Sequence, residues 1–420
     1  MKGLARRIPV ALLIGAVGLV LSACALEPAG RKTPAPATLG QVIKTLDKVA
    51  DPLIWTSATG SQVVNSARLQ GRILTLNVGD VDSTGFVQVD AILAGETNSQ
   101  FNNFGGVDRF WLGPEAGQYG LYFPPGAELN RDTWVVPAAF NEGGFSVVSK
   151  TPNRLVVTRP MRVENYLGHV FTVHVRRELG LIEDTAVPAE LGVDVPPRVA
   201  YAGAYSKNTL TNDGNRRWHP ESGLVGIWIL GQFNPSDETV VIAPFRPGDD
   251  ATLGPKFNDN YFGKVSEDAP ERLKVLDNAV LFRADSRRVG KFGLSPKRTT
   301  GLAGAMDFGR NLLTIVSFDV SEEAQRYGNS QWDKVQAEPY GGDAFQSYNN
   351  GVADTPGELA GDPFFELESA SPVLPLGPGE SQEHRHATHH FQGDFDALRS
   401  VARSVLGVDL VDVRRRILGE

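Results

Sequence analysis

From residue 51 onward, apolar side chains recur at every second position, the period of strands that bury one face. Residues 170–175, VFTVHV, set Phe171, Val173 and Val175 against Thr172 and His174. Residues 224–233 and 312–320 are rich in Ile, Val, Trp and Phe and are bounded by turn residues. The 45 glycines and 27 prolines are spread along the chain instead of collecting at a linker, as many strands joined by turns require. About 400 residues make two ordinary domains or one large β-sandwich, and this composition favours the sandwich. Helical spacing returns only near the ends. Thr38 with Gln41 forms a capping-box pattern ahead of Leu39, Val42, Ile43, Leu46 and Val49. Leu398, Val401, Ala402 and Val405 follow a candidate cap at Asp394. The expected fold is mainly β, a sandwich bracketed by short N- and C-terminal helices.

The amino terminus carries an address. Lys2, Arg6 and Arg7 precede an apolar run at 8–23 that is too short for a comfortable bilayer span and ends Leu21-Ser22-Ala23-Cys24. This resembles a bacterial lipoprotein signal, in which the thiol is acylated and the chain is cut just before it. An ordinary signal peptide with an incidental cysteine is the alternative. The resemblance implies a signal peptide at 1–23, a lipidated Cys24 with a flexible tether over 24–37, and one β-sandwich domain over 38–420. Ala25 in place of Asp implies a bacterial cell envelope location at the outer membrane, with palmitate and related acyl groups as the membrane anchor. Loss of the leader's three basic residues takes the formal net charge from −8 to −11, which argues against nucleic acid as a partner.

A Gly-Lys-Ser/Thr phosphate loop and a strand-turn-helix nucleophile motif are both absent, and Cys24 is the one cysteine. Four polar clusters remain. Residues 104–123 gather Phe110, Trp111, Tyr119, Tyr122 and Phe123 around Arg109, Glu115 and Gln118. Aromatic faces stack on the C–H faces of sugar rings while charged groups bond the hydroxyls, so this mixture suits a carbohydrate. A hydrophobic strand pair with a Gly-Pro turn reads equally well. Residues 208–226 place Trp218, His219 and Glu221 before an apolar strand. His219 is either an acid–base group or a solvated loop histidine. In 364–372, FFELESASP, Glu366 and Glu368 share one face of a strand, and like charges so close raise the pKa of one partner. Any half-exposed strand shows the same alternation. In 383–390, EHRHATHH, His384, His386 and His390 share a face opposite His389. Two imidazoles at i and i+2 could bind a metal, but no well-spaced carboxylate completes the set and solvated histidines are the commoner reading, so no metal ligand is assigned.

In order, GGVDRFWLGPEAGQ, NTLTN with WHPESGLVGIWILGQFNP, KFGLSPKR, FFELESASP and the histidine strand resemble an uncharacterised family of bacterial exported lipoproteins. That family is similar to the aldose 1-epimerases, the galactose mutarotase group. The resemblance implies a large two-sheet β-supersandwich, galactose mutarotase-like, with a sugar-sized cleft. It implies His219 as general acid, Glu368 as base with Glu366 beside it, and Arg109 as a sugar-bonding arginine. Glu221-Ser222 stand where the epimerases have Tyr-Phe, and their second histidine has no clear counterpart, which puts turnover in doubt. Trp111 and Trp218 would hold the sugar, with Glu115, Gln118, Asn208 and Lys297 orienting hydroxyls. Lys297 also reads as an exposed turn residue. The expected chemistry is cofactor-independent proton transfer opening and reclosing a sugar ring. A non-catalytic saccharide-binding module and a structural envelope lipoprotein are the alternatives.

Overall fold

The computed structural model describes residues 35–261, 263–321, 326–351 and 361–419. Cys24, its leader and most of the expected tether lie outside the described residues. Among the described residues no helix is long and apolar enough to cross a membrane.

The fold is mainly β, as the alternation predicts. A ten-stranded antiparallel sheet runs in the order Leu273–Val275, Ala279–Arg283, Thr239–Pro244, Leu302–Asp307, Leu312–Phe318, Ser381–Gly393, Val199–Asn212, Val170–Ile182, Arg154–Glu164, Ser146–Thr151. A five-stranded antiparallel sheet has the order Gly290–Leu294, Phe345–Asn349, Phe365–Ala370, Gly226–Phe233, Arg109–Gly113. Three short strands, Leu53–Thr56, Gln62–Ser66 and Arg72–Leu76, form a third sheet.

The five-stranded sheet turns Phe110, Leu112, Ile229, Phe292, Phe345 and Leu367 into the main core. Contacts across the sandwich identify this as the inward face. Phe345 stacks on Phe318 at 5.9 Å between ring centroids, and Phe292 meets Phe282 edge-on at 5.5 Å. Ser369, of the same parity, bonds His384 and His386 of the large sheet.

The terminal helices close the outside. In Leu39–Val49 the capping box forms, with Thr38 Oγ1 accepting from Gln41 N at 3.1 Å and Gln41 Oε1 from Thr38 N at 2.8 Å. Phe395–Leu406 is capped by Asp394 and buries Leu398, Val401, Ala402 and Val405 against the far side of the ten-stranded sheet. One addition was not read from the sequence. Gly407, at φ 68°, ends that helix, and a second helix, Leu410–Leu418, follows with Asp409 as its cap.

The histidine strand alternates as expected. His384, His386 and His390 face the interior of the sandwich, while His389 is buried on the other face of the sheet and bonds Tyr201 Oη at 2.8 Å. Asn208–Asn212 is the end of the long Val199–Asn212 strand.

Candidate functional site

Alternation and register together decide which side chains meet on the outward face of the five-stranded sheet. Register pairs Arg109 with Leu230 and Trp111 with Trp228. It pairs Gln232 with Glu366 and Leu230 with Glu368. Tyr348 lies opposite Glu366 on one side and opposite Lys291 on the other. All of these have the parity opposite to the core residues, so five strands distant in sequence place a polar and aromatic set on one surface.

A cleft of about 450 Å³ opens on this surface. Its floor includes Arg109, Trp111, Trp228, Gln232, Lys291, Tyr348 and Glu366, and its walls include Phe101, Glu115, Trp134 and Trp332. Asn103, Arg131, Asn350 and Asp362 also line it. The rings pack on one another: Trp111 lies 5.6 Å from Phe101, 5.7 Å from Trp228 and 5.1 Å from Tyr122, centroid to centroid. Phe101 meets Trp134 edge-on at 5.7 Å.

The charges form a buried network. Arg109 Nη2 donates to Glu366 Oε1, and its guanidinium lies 5.1 Å from the Trp111 ring centre. Lys291 Nζ is 3.0 Å from Glu368 Oε2 and 4.0 Å from Glu115 Oε2, and it sits 4.9 Å from the Trp228 ring centre. Trp228 Nε1 donates to Glu368 Oε2 at 2.9 Å, and Trp134 Nε1 to Glu115 Oε1 at 3.0 Å. Beside them Tyr261 Oη donates to Asp343 Oδ2 at 2.6 Å, and Asn258 Nδ2 to the same oxygen at 2.8 Å.

Burial governs the protonation of this network. It pushes Glu366 up to about 7, with Arg109 opposing and Glu368 adding to the rise. It also raises Glu115, against the pull of Lys291. Asp343 is pushed up to about 6 by burial, opposed by its bonds from Tyr261 and Asn258. For Lys291 burial acts downward, but the carboxylates of Glu368, Glu115 and Glu366 outweigh it and hold the ammonium above its ordinary value.

Several buried atoms here have unmet hydrogen-bonding capacity. The donors are Arg109 Nε and Nη1 and Trp111 Nε1. The acceptors are Asn103 Oδ1, Gln232 Oε1 and Glu368 Oε1. Each such group costs about 1–3 kcal/mol when left unpaired, so a polar ligand that met them would be favoured in this cleft.

The sequence matches the family of unknown function DUF6786 over residues 37–417. The chain belongs to this family. No curated protein matches the sequence. Among solved structures, a protein from Escherichia coli assigned as an aldose 1-epimerase is 14% identical, covers 81% of this chain and 99% of its own, and has a TM-score of 0.43. A galactose mutarotase-like protein from Lactobacillus casei is 12% identical over 81% of this chain and 99% of its own, with a TM-score of 0.46. A protein from Synechocystis sp. PCC 6803 is 12% identical over 82% of this chain and 98% of its own, with a TM-score of 0.47.

Of the residues singled out in the sequence, Arg109, Trp111, Glu115 and Glu366 line the cleft, and Glu368 joins it through Lys291 and Trp228. Five others do not. His219 is exposed on the loop after the Val199–Asn212 strand, so it is not placed as the acid partner of Glu368. Trp218 is buried edge-on against Phe171, at 5.4 Å, as a core residue. Asn208 lies between the sheets, accepting from Arg177 Nε at 2.8 Å and donating to Ser206 Oγ at 2.9 Å. Gln118 exchanges bonds with the Gln336 backbone and pins two loops together. Lys297 is exposed in a turn, while its neighbour Arg298 is buried on the carbonyls of Gly254 and Arg246. Sequence reasoning passed over Lys291, Trp228, Gln232, Tyr348 and Trp134. A signal existed for Lys291, since alternation in Gly290–Leu294 sets it opposite the apolar Phe292.

Proposed function

We propose that the cleft binds a carbohydrate. The observation that carries this reading is the set of buried, unpartnered donors and acceptors on a floor and walls of indole and phenyl rings. Rings supply faces for the C–H surface of a pyranose, and the unpaired groups supply bonds for its hydroxyls. Isothermal titration of the mature protein against a panel of soluble mono- and disaccharides tests it. Heat of binding with at least one sugar, lost in Trp134→Ala, is the expected result. A silent panel overturns the reading.

A second reading, that the bound sugar also undergoes proton transfer, is favoured by Glu366. A carboxyl titrating near neutrality can take a proton from a hydroxyl and return it with little bias, as anomer exchange requires. Glu366→Gln should then abolish anomer exchange followed by NMR. Exchange no faster than in buffer with the wild-type protein sinks this second reading and leaves binding untouched.

The protein is further proposed to work as a lipid-anchored envelope protein, on the strength of the basic leader, the apolar run and Leu21-Ser22-Ala23-Cys24. Mass spectrometry of the amino-terminal peptide should find an acylated Cys24. An unmodified cysteine within an intact leader removes the proposal.

A further inference from the structure

We infer that the sugar taken by this cleft bears a free amino group, an inference that rests on the carbohydrate reading above. Four buried carboxyl groups, Glu115, Asp343, Glu366 and Glu368, share the site with two buried cations, Arg109 and Lys291. Both cations are ion-paired, with Arg109 Nε and Nη1 left over as donors. Arg109 is paired to Glu366, and Lys291 stands 3.0 Å from Glu368 but 4.0 Å from Glu115. Asp343 is met by the neutral hydroxyl of Tyr261 and the amide of Asn258. At the cleft margin Arg131 and Asp362 offset each other in charge. The site therefore holds four carboxyl groups against two cations, and with Glu366 and Asp343 raised to about 7 and about 6 a cationic ligand would favour their ionisation where a phosphate or carboxylate would oppose it.

Two features point to a ligand that donates as well as accepts, since Arg109 Nε and Nη1 and Trp111 Nε1 stand without acceptors beside the orphaned acceptors of the same site. Three buried acceptors, Asn103 Oδ1, Gln232 Oε1 and Glu368 Oε1, have no partner, and Asn103 and Gln232 belong to the cleft lining itself. The rings already occupied by protein cations are Trp111, under Arg109, and Trp228 and Tyr261, under Lys291. The rings of Phe101 and Trp134, beside Glu115, carry no such cation among the described residues, and an ammonium group is attracted to an open aromatic face. An amine on a pyranose supplies that charge and up to three donors in one group. The raised Glu115 and Glu366 carboxyls fit the same picture, since a nearby ammonium would draw both back toward ionisation.

A matched set of disaccharides tests this. Glucosaminyl-β1,4-glucosamine, its N,N′-diacetyl form and cellobiose share a skeleton and differ at the two C2 substituents. Titrated calorimetrically at pH 6.5 in low salt, the free amine should bind the wild-type protein at least tenfold more tightly than either other sugar. Glu115→Gln should reduce that preference at least threefold. Equal or tighter binding of cellobiose or the diacetyl form overturns the amine inference and leaves the carbohydrate reading standing. Silence from all three overturns the inference, and silence from the wider panel overturns the carbohydrate reading with it. A preference that persists undiminished in folded Glu115→Gln also overturns the charge argument.

Discussion

Lys291 Nζ lies 3.0 Å from Glu368 Oε2, and the two side chains are 4% and 0% exposed. They come from strands separated by Phe345–Asn349, so the ion pair reaches across one strand and ties the edge of the sheet to its centre. A pair sealed this well is costly to break from one side, because the survivor is left charged and dry. Lys291→Met should destabilise the protein by about 3–5 kcal/mol in urea unfolding, and adding Glu368→Gln should recover at least half of that. Additive losses in the double variant would show that the two residues do not act as a pair.

The contrast between Trp134 and His219 gives a second test. Trp134 walls the cleft and donates to Glu115, while His219 is exposed outside it. Trp134→Ala should weaken saccharide affinity at least tenfold. His219→Ala should leave affinity within twofold and stability within about 0.5 kcal/mol, the usual range for a surface change. A large loss on His219→Ala would return that residue to the chemistry.

Gly293 is where the Tyr261–Asp343 pair meets the sheet. A methyl added at this position would stand 2.5 Å from both Asp343 Oδ2 and Tyr261 Oη, nearer than any real side-chain carbon tolerates. Gly293→Ala should therefore cost about 1–3 kcal/mol by thermal or chemical denaturation. A neutral result would mean that the pair shifts freely and plays no part in shaping the cleft.

Stability should fall on acidification, and the histidine strand is the reason. Burial pushes His384, His386, His389 and His390 down to about 3, below the ordinary histidine range near 6.5. The unfolded chain thus binds more protons than the folded one between those values, and stability present above about pH 6.5 is lost as pH drops toward 3. Glu366 and Asp343, raised to about 7 and about 6, act in the opposite sense, favouring the fold as pH falls through that range. Four histidines against these carboxyls leave a net loss, each histidine contributing up to about 1.4 kcal/mol per pH unit. Urea midpoints measured between pH 7.5 and 4.5 should fall, and the slope should flatten in His389→Gln. A flat or rising profile would contradict the burial of uncharged imidazoles.

Local pattern made much of the architecture legible. The capping box at Thr38 and Gln41, the cap at Asp394 and the period-2 runs all depend on neighbours a few residues apart, and each formed as read. The same alternation placed Glu366 and Glu368 on one face. Misplaced residues share a cause. Chemical type and motif position single out His219, Trp218, Asn208, Gln118 and Lys297, and neither says whether a side chain faces the cleft, a neighbouring loop, the space between the sheets or solvent.

The amino-acid order alone determined the strand period, the terminal helices and the parity of each side chain, because these are settled within a few residues of backbone. Which parity became cleft and which became core was decided by pairing between strands as distant as Arg109–Gly113 and Phe365–Ala370. Lys291 meets Glu368, and Arg109 meets Glu366, only because antiparallel registers slid into place to bury Phe110, Ile229, Phe292 and Leu367 beneath them. On the opposite face the segments carrying Phe101, Glu115, Trp134 and Trp332 wall in the charges, and that enclosure is the burial that raises Glu366.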